Sequence, residues 1–379
     1  MGPSGASSPS RPQSSWEAKA SSRQVEHGCD WLVVGAGPAG IAVVGKLIDN
    51  GVRPGSIAWV DPEFSVGDLG RKWRGVSSNT KVRLFRNFLN GCRSFGYDGE
   101  RARFALDSLD PQGTCLLENV VEPLQWVTGN LMPKVKAIRS EIAKIENGGG
   151  RYLAASPWGV VRAQSVVLAI GAEPMSLGYP LPRIALEDAL DAGRAKRAVD
   201  KDDVVGVFGS SHSAVMAVRN LIDAGASRVI NFYRSPIRYA VDYGEWTLRD
   251  NTGLKGTTAE WARTKMRSVP ESKLLRVDAS AEQVERYLPQ CSKVVYGVGF
   301  SPRSIPVEGV DLSRYDQRTG VVAQRLYGCG IAFPERVVDR AGNVELNVGI
   351  WKFMQYLDRV VPSWLSSSAG QSVRPAVKA

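Results

Sequence analysis

The chain has 379 residues, of which 43% are hydrophobic and 23% charged, and its formal net charge is +10. This length exceeds the usual size of a single hydrophobic core, so we expect two domains. No apolar run reaches the roughly 18 residues of a membrane span, and the basic residues are scattered, which argues against both a membrane and nucleic acid as partners.

The first recognisable unit is a strand, a glycine-rich turn, a helix, a second strand and an acid. The apolar run 31–34 leads into the turn, and the predicted strand 57–60 ends at Asp61. This order predicts a dinucleotide-binding βαβ unit, whose glycines permit the tight turn, the approach of a pyrophosphate and close packing of the helix. The helix N-terminus offers N–H groups to the phosphates, and the carboxylate can accept ribose hydroxyls. The residues assigned to this cofactor are Gly35, Gly37, Pro38, Ala39, Gly40 and Asp61.

A similar unit occurs in mid-chain, where a strand, a turn that begins at Gly209, a helix and the strand 228–233 follow one another. Ser211 and Ala214 replace the second and third glycines, and arginines rather than an acid follow the second strand. Guanidinium groups there suit the 2′-phosphate of NADPH, although they could also be solvated surface groups. His212 either contacts this cofactor or caps the helix. The assigned residues are Gly209, Ser211, His212, Ser213, Arg234 and Arg238.

The loop 243–256 after the second unit is polar and aromatic. Loops of this length in compact domains are often functional. We therefore expect the loop to border a substrate cleft, with Trp246 and Asp250 as candidate residues.

The five cysteines have no C-x-x-C spacing, and the chain has two histidines. Neither a disulfide framework nor a zinc or histidine-rich metal site is expected, and a reducing compartment, the cytoplasm, is the natural setting.

Two glycine-containing segments carry a resemblance to the two-dinucleotide-binding-domain flavoproteins. Residues 169–174 (AIGAEP) resemble the ATG-type strand and turn at which that superfamily crosses between domains, and residues 296–300 (YGVGF) resemble the returning crossover. The resemblance implies an α/β fold in which an FAD-binding Rossmann-like domain in two segments holds an inserted NAD(P)-binding Rossmann-like domain. It also implies that Gly171 contacts FAD.

The implied boundaries follow from these landmarks and from composition. The first 27 residues are rich in Ser, Pro and Ala and predict a disordered tail. The FAD-binding domain is expected at 28–190 and 291–365, the NAD(P)-binding domain at 191–290, and a second tail at 366–379.

Within that superfamily, residues 69–74 (LGRKWR) and 76–81 (VSSNTK) are similar to consecutive segments of flavin-containing monooxygenases. By that match Trp73 and Arg74 would cover the isoalloxazine ring. Asn79 would hydrogen-bond a flavin C4a-peroxide or the nicotinamide, so Asn79 and Arg74 are the catalytic candidates. The plainer interpretation makes Trp73 a core residue and Asn79 a turn residue.

The sequence differs from the patterns of the families that it resembles in three places. No F-x-G-x-x-x-H-x-x-x-[YFW] motif precedes the second turn, and no cysteine pair of the disulfide-reductase branch is visible. Gly330 resembles the glycine of a strand that ends in Gly-Asp against the flavin, but Ile331 replaces the acid.

A helix is predicted over 346–360, and its N–H groups near Gly349 would face the flavin pyrimidine.

The resulting hypothesis is hydride transfer from NADPH to FAD, followed by reaction with molecular oxygen and hydroxylation of a small molecule. One alternative is an NAD(P)H-dependent reductase or oxidase without oxygen insertion. Another is a flavin-bound redox sensor or interaction module. The oligomeric state and the identity of the substrate are left open by the sequence.

Overall fold

The structure, a computed structural model, describes residues 25–97 and 103–369. The helices in chain order are α1 (Pro38–Asp49), α2 (Gly67–Lys72), α3 (Val82–Leu89), α4 (Glu118–Leu131), α5 (Leu186–Leu190), α6 (Ala192–Ala198), α7 (His212–Asp223), α8 (Gly256–Thr264), α9 (Ala281–Tyr287) and α10 (Ile350–Ala369).

The strands are β1 (Val25–Val34), β2 (Ile57–Val60), β3 (Lys136–Ile138), β4 (Lys144–Gly148), β5 (Arg151–Ser156), β6 (Gly159–Leu168), β7 (Ala172–Pro174), β8 (Val204–Phe208), β9 (Arg228–Tyr233), β10 (Val241–Asp242), β11 (Thr247–Leu248), β12 (Leu274–Asp278), β13 (Lys293–Tyr296), β14 (Phe300–Pro302), β15 (Val321–Ala323), β16 (Leu326–Gly328), β17 (Glu335–Val338) and β18 (Val344–Asn347).

The first sheet has the order β15-β16-β6-β1-β2-β3, and β5 and β4 extend it from β6. Its central strands are parallel and buried on both faces, as expected for a sheet that is covered on both sides. Trp31 and Val33 pack with residues of α1, α4 and α10, while Leu32 and Val34 pack with β4 and β5 on the other face. The alternation follows from the two-residue period of a strand.

The second sheet has the order β12-β9-β8-β13 and is entirely parallel. Val205 and Val207 pack with α7 and α8, whereas Phe208 and Phe232 form a cluster on the opposite face. The sheet confirms the α/β class and the mid-chain βαβ unit.

The pairing extends the second unit beyond the predicted limits 191–290 on both sides. β13 pairs with β8, although the sequence placed it in the FAD-binding segment 291–365. Residues of α5 share a buried cluster with α7, although α5 lies within the predicted segment 28–190. The physical reason is burial, because β13 covers an edge of β8 and α5 covers apolar residues of α7.

The two connections between the units lie side by side. β7, which follows the first sheet, pairs antiparallel with β14, which follows the second, and Phe300 is opposite Pro174. The two segments predicted as outgoing and returning crossovers are therefore hydrogen-bonded to each other.

The predicted ends of the chain need correction. β1 begins at Val25, inside the predicted tail 1–27, whose first 24 residues lie outside the described part. Leu346 lies in β18, and the C-terminal helix extends from Ile350 to Ala369, past the predicted limits 346–360 and into the predicted tail 366–379. Trp364 is 1% exposed, so its burial favours the longer helix. No helix in the described ranges is long and apolar enough to span a membrane.

Candidate cofactor site and active site

The first glycine turn is closely packed at two of its three glycines. Gly35 has φ +105°, and a Cβ there would overlap the carbonyl oxygen of Ala169, the residue after β6. A Cβ at Gly40 would overlap the carbonyl oxygen of Gly35. At Gly37, by contrast, the nearest atom to such a Cβ is the Cα of Gly67, at 4.0 Å. Packing explains two glycines but not Gly37, which fits a position kept open for a ligand.

Asp61 fixes the shape of this turn. Its Oδ2 accepts a hydrogen bond of 2.7 Å from the backbone N–H of Ala36, and Oδ1 accepts bonds from the N–H groups of Glu63 and Phe64. A carboxylate has about four acceptor sites, so three backbone bonds leave about one for a ribose hydroxyl. The N-terminus of α1 has no side-chain cap, which leaves its N–H groups available to phosphate.

The segment before α2 approaches the turn closely. Phe64 and Val66 have φ of 56° and 64°, a left-handed conformation that is costly for a β-branched residue such as valine. This backbone brings Gly67 against Gly37. Gly330 approaches from another side, where a Cβ would lie 2.7 Å from the Cβ of Ala39. Gly330 is the candidate from the segment in which Ile331 replaces the usual acid, and it contacts the first turn at Ala39.

The candidates of the monooxygenase-like segments lie where the two units meet. Trp73 is half-buried, and its ring centre lies 6.2 Å from that of Phe300 in the returning crossover. Trp73 also packs against the core of the second unit. Arg74 is exposed, and its Nε donates to the carbonyl of Gly70 at 2.9 Å. Asn79 is exposed and accepts a bond from the Thr80 hydroxyl at 3.2 Å.

Gly171, at the outgoing crossover, has φ +74° and accepts a backbone hydrogen bond from Arg303 at 3.0 Å. The Arg303 guanidinium reaches Asp68 of α2 at 2.6 Å. The crossover is therefore tied directly to the helix beside the first turn. Neither Arg303 nor Asp68 was among the predicted site residues, because each lies just outside a segment that carries the resemblance, after 296–300 and before 69–74 respectively.

At the second turn, the helix and the neighbouring strand also approach closely, but through different residues. A Cβ at Gly209 would overlap the carbonyl oxygen of Gly297, and a Cβ at Gly297 would lie 2.8 Å from the Cα of Ala214. Ser211 precedes α7, and its hydroxyl lies 3.4 Å from the Gly297 carbonyl rather than on the helix N–H groups. No side chain caps this N-terminus, so Ser213 and its neighbours offer N–H groups there.

His212 is the first residue of α7, and its ring turns towards α8 rather than capping the helix. Its Nε2 lies 3.5 Å from the Thr258 hydroxyl, and its buried Nδ1 has no partner among the described residues. Burial, with a smaller contribution from Lys255, lowers the pKa of His212 to about 4. The imidazole is therefore neutral at pH 7 and has an unused polar nitrogen.

The loop 243–256 is held to the first unit by a charged cluster that includes Asp250. The Asp250 carboxylate forms ion pairs with Lys255 in the same loop and with Lys352 in the first turn of α10. Lys352 also donates to the Asn251 side chain at 2.6 Å. Glu345 of β18, only 4% exposed, accepts bonds from Asn251 and from the Thr252 hydroxyl. The sequence suggested Asp250 but gave no sign of Lys352.

The ionisation of this cluster follows from its partial burial. Burial acts to raise the pKa of Asp250, but Lys255 and Lys352 outweigh it and hold that pKa below its usual value. Burial lowers the pKa of Lys352 and outweighs the attraction of Asp250. Trp246, the other candidate in the loop, stacks on Tyr243 at 5.1 Å.

Arg234 and Arg238 follow the end of β9 and are exposed. Gly349 lies just before α10, against the aliphatic part of Lys352. No group of three His, Cys, Asp or Glu side chains in the described ranges could hold a metal ion.

Comparison with characterised proteins adds sequence similarity to this geometry. The chain is 34% identical over 390 aligned positions to the monooxygenase AgnR1 of Paecilomyces divaricatus, and the match covers 89% of this chain and 98% of that protein. No family model matches the chain.

Solved structures share the fold at much lower identity. The ornithine N-hydroxylase of Kutzneria sp. 744 has a TM-score of 0.61 at 15% identity, and the L-lysine 6-monooxygenase of Pseudomonas syringae has 0.61 at 14%. Each match covers 89% of this chain and 99% of the other. The bacillithiol disulfide reductase of Staphylococcus aureus has 0.60 at 13%, over 90% and 99% of the two chains. The implied flavoprotein fold is thus confirmed.

Proposed function

This chain belongs to the family of the monooxygenase AgnR1, and from that premise we propose that it is an FAD-dependent monooxygenase that takes electrons from NADPH. It is an enzyme, and the alternative of a redox sensor or interaction module without turnover is therefore not supported. Its substrates are a small molecule and molecular oxygen.

One observation carries the proposal: two uncapped helix N-termini follow two glycine turns in one chain, and the connections between their sheets are paired. Each turn can take a pyrophosphate on free N–H groups. An enzyme that transfers a hydride between two dinucleotides needs both binding sites, and it must hold the two sites in a fixed position relative to each other.

FAD fits the first turn. Gly37 is the glycine that packing leaves open, α1 offers its N-terminus, and Asp61 keeps about one acceptor site for the ribose. Gly330 and the N-terminus of α10 after Gly349 would contribute backbone to the same cofactor.

NADPH fits the second turn. α7 offers its N-terminus, and the buried Nδ1 of His212 is a polar atom without a partner in the described part of the chain. Because His212 is neutral, it can donate or accept a hydrogen bond near a dinucleotide without adding a charge. Arg234 and Arg238 supply positive charge beyond the end of β9.

The bound flavin supplies the redox chemistry and the activation of oxygen, so the protein has to position and shield the reactants. Trp73 would cover one side of the space in which flavin and substrate react. Its ring already contacts Phe300 of the returning crossover and the core of the second unit. Arg74 and Asn79 are exposed, so their side chains would be accessible to the bound cofactors or the substrate. The Asp250 cluster would hold the loop 243–256 at the border of this space.

The decisive experiment begins with the visible spectrum of the purified protein and anaerobic addition of NADPH. Bleaching of a flavin absorbance supports both cofactor sites. Oxygen is then admitted with candidate substrates, and hydroxylated product and hydrogen peroxide are measured together. Peroxide without product, over a broad substrate panel, would favour the alternative of a reductase or oxidase.

Two predictions remain part of this proposal. The first is the assignment of the two sheets to an FAD-binding and an NADPH-binding domain, with the second extended to include α5 and β13. The second is location in the cytoplasm, which was expected from the cysteine pattern.

A further inference from the structure

Arg276 lies in the middle of β12, opposite Asn231 of β9. Its Nε donates to the Asn231 side-chain oxygen at 2.9 Å, and its guanidinium carbon lies 4.7 Å from the ring centre of Tyr233. Tyr233 is two residues beyond Asn231 and ends β9, so the guanidinium leans towards the carboxyl edge of the sheet. That edge is where ligands bind in parallel α/β sheets.

The same asparagine connects Arg276 to the second glycine turn. The Asn231 side-chain nitrogen donates to the carbonyls of Val207 at 3.0 Å and of Gly209 at 2.8 Å. Asn231 is 1% exposed, so its amide has little freedom to rotate. Arg276 is therefore fixed relative to Gly209 through a single buried side chain.

Arg276 has an unused donor. Its Nη2 is buried and has no hydrogen-bond partner among the residues described, and burial lowers the pKa of its guanidinium. A partly buried cation without a carboxylate is costly, because it loses hydration and gains no ionic partner. An anionic ligand at this position would remove that cost.

Three more arginines occur in the same region. Arg234 and Arg238 follow Tyr233, and Arg263 of α8 lies 4.2 Å from the ring centre of Tyr239. None of these arginines, nor Arg276, forms an ion pair with a carboxylate in the described ranges. The carboxylate at the end of β12, Asp278, accepts the backbone N–H of Ser280 at 3.1 Å and is exposed.

We propose that Arg276 binds the 2′-phosphate of NADPH, together with Arg234 and Arg238, and that it is the residue that selects NADPH over NADH. The inference rests on the proposed function, because it requires the second turn to hold a nicotinamide dinucleotide. Arg234 and Arg238 are exposed, whereas Arg276 is held by Asn231 and by the Tyr233 ring. Arg276 thus supplies the preorganised contact, and a guanidinium suits a phosphate better than an ammonium does.

The test uses the FAD-loaded protein and two fragments of the cofactor, 2′,5′-ADP and 5′-AMP, which differ in the 2′-phosphate. Binding is measured by calorimetry and requires no hydride transfer. We expect wild-type protein to bind 2′,5′-ADP more tightly, and Arg276→Gln to lose about 10- to 100-fold in affinity for 2′,5′-ADP alone. Arg286→Gln is the matched control, since Arg286 also lies near a tyrosine ring, that of Tyr287, but in α9.

Arg276→Lys keeps the charge without the forked donor and should fall between the wild-type protein and Arg276→Gln. If Arg276→Gln does not fold, the affinities of Arg276→Lys for the two fragments serve as the test instead. An equal loss for both fragments would mean that Arg276 only shapes the turn through Asn231, and the inference would be wrong. No loss for either fragment would overturn it as well.

Flavin reduction by NADPH and by NADH, measured in parallel, separates this inference from the proposed function. A wild-type protein that is reduced by either nucleotide but binds the two fragments equally would overturn the inference alone. A protein reduced by neither nucleotide would overturn the proposed function.

Discussion

At the two dinucleotide turns, glycine and alanine occupy exchanged places between the helix and the residue after the neighbouring strand. In the first unit a glycine in the helix, Gly40, lies against an alanine just after the neighbouring strand, Ala169. In the second unit the helix has Ala214 and the position beyond the neighbouring strand has Gly297. The atoms that require the glycine differ: a Cβ at Gly40 would lie at an ordinary 3.6 Å from the Ala169 Cβ but would overlap the Gly35 carbonyl oxygen, whereas a Cβ at Gly297 would lie 2.8 Å from the Cβ of Ala214 itself.

This exchange explains the departure of the second turn from the glycine pattern. Ala214 replaces the third glycine, and space for its methyl group is provided by Gly297, the residue after β13, 83 residues further along the chain (297 minus 214). A motif can therefore keep its geometry when part of it moves to a spatial neighbour. The ends of the second strands differ in a functional way, since Asp61 follows one and arginines follow the other.

The largest expected effect is at Gly37. Gly37→Val should abolish retention of FAD without unfolding the protein, because packing leaves its Cβ position open while a pyrophosphate would fill it. Flavin absorbance per protein and the circular dichroism spectrum measure the two consequences. Gly40→Val is the contrasting control, and it should unfold the first unit because its Cβ would overlap the Gly35 carbonyl. A yellow, fully loaded Gly37→Val protein would show that FAD binds elsewhere.

The exchange itself predicts a rescue. Gly297→Ala should lower the free energy of unfolding by about 1–3 kcal/mol, because a second methyl group is forced against Ala214. Adding Ala214→Gly should recover much of that loss, less roughly 1 kcal/mol for a glycine in a helix. Urea unfolding of the two single variants and the double variant measures the coupling. Additive effects would mean that the two positions do not compensate for each other.

The two helices also begin differently, with Pro38 in α1 and the titratable His212 in α7. The pKa of His212 is about 4 in the folded protein and about 6.5 when unfolded, so between these values the unfolded chain binds the extra proton. Its contribution to stability is therefore lost as pH falls from about 6.5 to 4, by at most about 1.4 kcal/mol per pH unit.

His212→Gln should consequently make the free energy of unfolding less dependent on pH over that range. Urea unfolding at several pH values, with wild-type protein alongside, provides the comparison. Parallel pH profiles for the two proteins would show that His212 is not held neutral by its surroundings.

The smallest expected effect concerns the link between the units. Asp250→Asn would leave Lys255 and Lys352 without their shared partner, and we expect a loss of about 1 kcal/mol because the site is partly exposed. Glu245→Gln breaks the more exposed Arg340–Glu245 pair in the same loop region and should cost less than about 0.5 kcal/mol. Thermal unfolding at low and high salt compares the two variants. A larger loss for Glu245→Gln would contradict this account of the cluster.

Much of the fold followed from local pattern. The runs 31–34 and 57–60, the first turn and the strand that ends at Tyr233 were all predictable, because their signals lie within one short stretch of chain. The C-terminal helix was misjudged at both ends. Its continuation past Pro362 is favoured by the burial of Trp364 against residues distant in the chain, which no local pattern reveals.

By itself the sequence determined the two βαβ units, their order, and the change from an acid to arginines after the second strand. Only the tertiary structure decided that Gly297 makes room for Ala214, that Lys352 reaches Asp250, and that Arg276 lies over Tyr233. The physical reason is range. Turn chemistry and hydrophobic periodicity depend on near neighbours in the chain, whereas steric fit, side-chain hydrogen bonds and ion pairs depend on which distant residues the folded sheets bring together.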